Sequence, residues 1–146
     1  MKIRALAFDT YGTVVDWRGS VLAELAAFGQ ARGLALDRER FLELHLAKFA
    51  GLPWDCIITA ENARCYKPRA EVYRTAIELL GMAPAEVMMV AAHNYDLRAA
   101  RAEGMRTAFV PRPTEYGPRQ TTDLGPEDDW DVVAADLLDL AVRLGA

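Results

Sequence analysis

Phe8-Asp9-Thr10-Tyr11-Gly12-Thr13-Val14-Val15-Asp16 follows an apolar run, Ile3 to Phe8, and breaks at once into a glycine-containing turn that carries two carboxylates. The run has the length and bounding of a buried strand. Open α/β sheets bind ligands and do chemistry outside the carboxyl ends of their parallel strands, which makes Asp9 the first candidate for a working side chain.

The 146 residues around this stretch suffice for one domain, and 52% hydrophobic residues are enough to bury a core. Net charge is −4 with no run of Lys or Arg longer than two, so the sequence offers no footprint for nucleic acid or for an anionic membrane surface. A small molecule is the expected partner. The two cysteines, Cys56 and Cys65, have neither a metal-ligand spacing nor a disulfide framework, and read as one buried and one loop thiol in a reducing compartment. Asp9 interrupts the N-terminal apolar run too early for a signal-peptide core, and no apolar segment approaches the length of a membrane span. A cytoplasmic protein is expected.

Along the chain, apolar periodicity predicts helices from Ser20 to Gly33 and from Asp37 to about Phe49, two in succession with no strand between them. Cys56–Thr59 reads as a short buried strand. A helix from about Pro68 to Leu80 is closed by Gly81, a buried strand lies within Glu86 to Ala92, and Asp96 opens a small-residue helix ended by Gly104. Thr107–Val110 is a further strand, Pro111 to Asp129 a surface loop, and Trp130, Val132 and Val133 resume a strand pattern before a final helix through Leu137, Leu140 and Leu144. This alternation predicts an α/β fold: a Rossmann-like parallel sheet with flanking helices.

Three polar clusters follow predicted strands: Asp9 with Thr13, Lys67 in Tyr66-Lys67-Pro68, and His93-Asn94-Tyr95-Asp96. A parallel sheet brings such positions to one edge. There Lys67 can hold Asp9 ionised and Asp96 can orient Lys67, and an ionised, positioned carboxylate is a usable nucleophile. Taken singly, Asp9 could cap a turn, Lys67 could be a solvated lysine, Asp96 a helix N-cap and His93 a satisfied strand-end histidine.

The chain resembles the haloacid dehalogenase superfamily, and within it the type II (L-2-haloacid) dehalogenases. The resemblance rests on FDTYGTVVDWRGS (Phe8–Ser20), GLPWDCIITAENARCYKP (Gly51–Pro68), EVY (Glu71–Tyr73), VAAHNYDLRAARAEG (Val90–Gly104) and RPTEYG (Arg112–Gly117). Superfamily phosphatases carry Asp-x-Asp, whose second Asp serves as acid/base and helps hold Mg²⁺. Tyr11 stands in that place here, as in the dehalogenase branch. The resemblance implies that Asp9 attacks the halogen-bearing carbon of a short 2-haloacid, forming an ester. Water then hydrolyses the ester to a 2-hydroxy acid with no metal or other cofactor; Mg²⁺ would enter only in a phosphatase. Thr13 matches a hydroxyl donor to the nucleophile loop, Lys67 the charge-supporting lysine, and Asp96 the fourth-motif carboxylate. Tyr73, with Thr10, Tyr11, His93 and Asn94, is expected around the substrate, His93 as a candidate to orient the hydrolytic water.

One 1–146 core domain is expected, shortened between about 38 and 50, where the family's cap and one core strand, with its second-motif hydroxyl, should lie. Type II enzymes hold the substrate carboxylate with that hydroxyl and a cap arginine, and this chain has no Arg from Phe41 through Ala63. A homodimer is one way to cover the sheet edge this would leave. The readings that follow are a dehalogenase, a superfamily phosphatase of small phosphoesters, or a non-catalytic remnant scaffold.

Overall fold

A computed structural model describes residues 2–10, 13, 30 and 54–146. In chain order the elements are strand β1 (Ala5–Phe8), helices α1 (Ala60–Ala63) and α2 (Ala70–Leu80), a 3₁₀ turn (Pro84–Glu86), β2 (Val87–Ala91), α3 (Asn94–Ala102), β3 (Arg106–Phe109), β4 (Val132–Val133) and α4 (Leu137–Leu144). The helices expected between Ser20 and Phe49 and the shortened segment at 38–50 lie outside the described residues, save for Gln30, which is helical.

The strands form one four-stranded sheet in the order β1-β2-β3-β4, every pairing parallel. All five residues of β2 are buried, which is why Val-Met-Met-Val-Ala shows no polar alternation. Its side chains still sort to two faces by the two-residue period of a strand. Val87, Met89 and Ala91 pack with Tyr73 of α2, Leu97 and Ala100 of α3, Phe109 and Trp130. Met88 and Val90 pack on the other side with Ala108, Val110, Ala134 and Leu140 of α4. This is the doubly covered parallel sheet that the strand–helix alternation predicts. No helix among the described residues is long and apolar enough to cross a membrane.

Helix α2 ends at Gly81, which takes φ 62° and returns its N–H to the carbonyls of Ile77 and Glu78. It begins at Ala70, two residues later than Pro68. Helix α3 begins at Asn94 with His93 in the extended N-cap place, so Asp96 lies inside the first turn and is not the cap.

Cys56–Thr59 is not a strand. Cys56 and Ile57 are exposed, and the Thr59 N–H is taken by Asn62 Oδ1 at 2.8 Å as the chain turns into α1. Its apolar residues form a cavity wall, a use that an apolar run of this length does not distinguish from strand burial. Among the described residues β1 therefore pairs only with β2. Cys56 is accordingly a surface thiol, not a buried one.

Candidate active site

The chain after β1 leaves the sheet with its first hydrogen bond still in register, Asp9 N–H to Val90 C=O at 2.9 Å. That bond sets the Asp9 carboxylate at the carboxyl edge of the sheet, beside the end of β2. Lys67 reaches it from the turn between α1 and α2, not from a strand end, and Asp96 reaches it from the first turn of α3. Lys67 Nζ lies 2.9 Å from Asp9 Oδ1 and 2.6 Å from Asp96 Oδ2. The three side chains grouped by sequence are thus one ion-paired cluster.

The second oxygen of Asp9 is held differently. Thr13 Oγ1 donates to Oδ2 at 2.9 Å and itself accepts the Ala92 N–H at 2.8 Å, so the buried threonine ties the nucleophile loop to the end of β2. His93 Nδ1 lies 3.1 Å from the same Oδ2. Its Nε2 faces Glu115 Oε2 at 2.8 Å, with the Tyr116 hydroxyl at 3.3 Å. Arg112 donates to the Thr13 carbonyl from Nε at 2.8 Å and Nη2 at 2.5 Å, clamping the loop from the far side.

Burial opposes the charge on Asp9, but the hydrogen bond from His93 and the Lys67 ammonium outweigh it and hold the carboxyl below its ordinary value. Burial also opposes the charge on Lys67, and the Asp96 and Asp9 carboxylates overcome it to hold the ammonium above its ordinary value. For Asp96, burial dominates and raises the carboxyl, with Lys67 pulling the other way. His93 loses to burial but gains more from its bonds to Asp9 and Glu115, which push it up to about 10. At neutral pH His93 is an imidazolium between two carboxylates.

That charge makes stability depend on pH. An imidazole whose value rises from 6.5 to about 10 on folding contributes its full stabilisation below 6.5 and loses it as pH climbs through about 10. Lys67, raised from an ordinary value of 10.5, keeps its full stabilisation across that range and loses it only at higher pH. The thermal midpoint should therefore fall between about pH 6.5 and 10, and His93→Gln should flatten this slope, as read by melts across the interval. A slope unchanged in the variant contradicts the assignment.

A cavity of 740 Å³ opens over this cluster, lined by Phe8, Asp9, Thr10, Ile57, Ile58, Lys67, Val72 and His93, with Arg64, Tyr95, Glu115 and Tyr116 on its walls. Thr10 and His93, both expected around the substrate, line it. Tyr73 is not among the residues lining this cavity: it is buried, and its hydroxyl donates to Asp96 Oδ1 at 2.5 Å, which makes it a support for Asp96. Asn94 also departs from its expected role. Its amide donates to Asp123 Oδ1 at 2.9 Å and to the Gly125 carbonyl at 3.0 Å, while its oxygen accepts from Glu127 N–H and Trp130 Nε1, each at 3.0 Å. Both polar side-chain atoms of Asn94 are spent on the loop before β4. Asn94→Ala should cost about 3 kcal/mol in denaturant unfolding, through the partners left unmet, and leave substrate affinity unaltered. Tyr11 lies outside the described residues.

Glu115, Tyr116, Arg112 and Arg64 escape the sequence reading of the site. For the first three, the RPTEYG stretch directly after β3 is the signal, since a loop leaving the carboxyl edge of a sheet is placed to close over it. Among the described residues, no group of three or more His, Cys, Asp or Glu is placed to hold a metal ion.

A haloacid dehalogenase-like hydrolase family model matches residues 37–110. The (S)-2-haloacid dehalogenase of Xanthobacter autotrophicus is 34% identical over 93 residues, covering 62% of this chain. A second curated relative, a pyrophosphatase (PpaX) by name, from Caldanaerobacter subterraneus, is 27% identical over 130 residues, 86% of this chain. The chain spans 36% and 59% of the lengths of these two relatives. The crystal structure of the L-2-haloacid dehalogenase PA0810 superposes with a TM-score of 0.84 at 33% identity, covering 99% of this chain and 100% of that one.

Proposed function

Because the chain belongs to the haloacid dehalogenase-like hydrolases, we propose that it displaces halide from short 2-haloacids through an ester on Asp9. The observation that carries this reading is the Asp9 carboxylate, held ionised between two cations at the floor of a largely apolar cavity. Its two oxygens are unequal. Among the described residues Oδ2 accepts from both Thr13 and His93, whereas Oδ1 accepts from Lys67 alone, which leaves Oδ1 a lone pair for attack.

In the first step Oδ1 forms a bond to the α-carbon from the side opposite the halogen, and the carbon–halogen pair leaves as halide. Lys67 keeps Asp9 unprotonated, and Asp96 with Tyr73 fixes Lys67. Apolar walls from Ile57, Ile58 and Val72 suit the alkyl part of the substrate and weaken competition from water. Water then adds to the Asp9 carboxyl carbon, and cleavage of the ester releases the 2-hydroxy acid and regenerates the carboxylate.

A haloacid also needs a cation for its own carboxylate. Lys67 and His93 are engaged with carboxylates of the protein, and Arg64 is a further basic residue among those lining the same cavity. It sits at the C-cap of α1 in the left-handed region, φ 54°, where glycine is the unstrained choice. Arg64→Gln should raise KM for 2-chloropropionate about tenfold with a smaller effect on kcat, as read from initial rates. An unchanged KM would remove Arg64 from this role.

The pyrophosphatase relative favours a second reading, Mg²⁺-dependent phosphoester hydrolysis. The donors fit it poorly. Tyr11 stands where the phosphatases carry a second carboxylate, and Lys67 and His93 already set positive charge beside both Asp9 oxygens, where a divalent cation would meet like charge. Incubation with 2-chloropropionate or chloroacetate tests the proposal: release of halide with an equal amount of 2-hydroxy acid, undiminished by chelator, is expected. Chelator-sensitive cleavage of a chromogenic phosphate without halide release would favour the phosphatase, and neither activity in a cooperatively folded protein would leave the scaffold reading.

A further inference from the structure

Once Asp9 is esterified through Oδ1, Oδ2 becomes the ester carbonyl oxygen, and it is the atom on which negative charge develops when water adds. Two donors already point at that oxygen, Thr13 Oγ1 at 2.9 Å and His93 Nδ1 at 3.1 Å. These distances are those of an oxyanion hole, arranged around the enzyme's own carboxylate instead of the substrate. The donors are also rigidly held. Thr13 is fully buried and pinned by the Ala92 N–H, and the His93 side chain is 6% exposed.

We propose that Thr13 and His93 form the oxyanion hole for hydrolysis of the Asp9 ester, and that Glu115 is the positioning residue that keeps His93 a doubly protonated donor. The proposal rests on the Asp9 ester reading above. Glu115 Oε2 accepts from Nε2 at 2.8 Å with its side chain only 5% exposed, so this carboxylate fixes the ring and balances its charge. Among the described residues the groups facing His93 are Asp9 from the end of β1, Glu115 and Tyr116 from the loop after β3, and Tyr95 of α3, stacked with ring centroids 5.7 Å apart. Lys67 lies beyond Asp9.

Glu115 matters most when Asp9 is neutralised. Ester formation removes the carboxylate charge that supports the imidazolium from one side, and burial then works against the remaining positive charge. Glu115 is the counter-charge still in contact. With its proton retained, His93 donates from Nδ1 to the tetrahedral oxyanion at Oδ2. Collapse of that intermediate breaks the bond between the carboxyl carbon and the alkyl oxygen. The departing alkoxide takes up a proton as 2-hydroxy acid, and the proton of the attacking water is released to solvent as Asp9 returns to its carboxylate. Over the cycle, haloacid and water give hydroxy acid, halide and one proton. His93 here polarises the ester and does not abstract a proton from water.

The test separates the two half-reactions in the full chain. Glu115→Gln is mixed with excess 2-chloropropionate and quenched at intervals. Halide is measured for ester formation, and intact mass for the covalent adduct. The expected result is a near-parental halide burst, ester hydrolysis slowed about tenfold, and accumulation of the adduct. Glu115→Asp should restore part of the loss. In the free protein, the His93 imidazole titration followed by NMR should move to lower pH in Glu115→Gln, a readout that a purely structural role leaves in place. Equal slowing of both half-reactions, hydrolysis at the parental rate, or an unmoved His93 titration would each overturn the proposal. If the unchanged protein forms no adduct at all, the ester reading itself fails and this inference with it, an outcome distinct from parental ester turnover in Glu115→Gln.

Discussion

Asp9→Asn is expected to reduce halide release by about 10⁴-fold or more, because the neutral amide supplies no nucleophilic oxygen comparable to a carboxylate. The surroundings worsen the exchange. Lys67 donates to Oδ1, and Thr13 and His93 donate to Oδ2, so an amide NH₂ in either orientation meets a donor where it needs an acceptor. Loss of the negative charge also removes one of the two groups that hold His93 protonated. Halide release in the variant, alongside a melt showing one cooperative transition, checks this. A folded variant that retained a tenth of the parental rate would exclude Asp9 as the nucleophile.

Lys67→Met carries the second large effect, and it acts on stability and rate together. The ammonium is shared, 2.9 Å from Asp9 and 2.6 Å from Asp96, and the Asp96 side chain is fully buried. Among the described residues, removing the cation leaves Asp96 with only the Tyr73 hydroxyl, in a site where burial already raises its carboxyl. Breaking one side of such a buried pair costs about 3–5 kcal/mol. Asp9 loses one of the two groups that keep it ionised, so the acid limb of the rate profile should move to higher pH as kcat falls about 10²-fold. Denaturant unfolding and a pH–rate series read the two effects separately. Lys67→Arg should not rescue the rate, because a planar guanidinium does not reproduce one compact ammonium between two carboxylates. Parental stability in Lys67→Met would show that Asp96 has another partner.

What was legible in the sequence follows from how each residue earns its place. Asp9, His93 and Asp96 belong to strand-to-turn or strand-to-helix junctions, and a parallel sheet gathers such junctions at one edge whatever the details. Lys67 was placed correctly for an incorrect reason: the segment before it is a cavity wall and a short helix, not a strand, and four apolar residues look alike in either setting. Asn94 was misread because a polar residue at a strand end looks available. Its four contacts come from a loop some thirty residues downstream, and long-range pairing of that kind leaves no local mark. Glu115 is the converse case. It reaches His93 from the loop after β3, and its stretch was visible in the sequence while its partner was not.

The helical cap and second-motif strand, expected to be missing between about 38 and 50, fall outside the described residues. Arg64 gains importance from the absence of arginine from Phe41 through Ala63, since it is the first position beyond that interval and lines the cavity.

The formation of an ester at Asp9 is tested most directly by one turnover with protein in excess over 2-chloropropionate, in water enriched in heavy oxygen. Attack through Oδ1 followed by hydrolysis at the carboxyl carbon predicts that the label enters the Asp9 side chain, found by mass spectrometry of the peptide that carries it, while the first 2-hydroxy acid formed is unlabelled. Heavy oxygen in that first product, with none in Asp9, would mean that water attacks the haloacid directly and would contradict the nucleophilic role of Asp9.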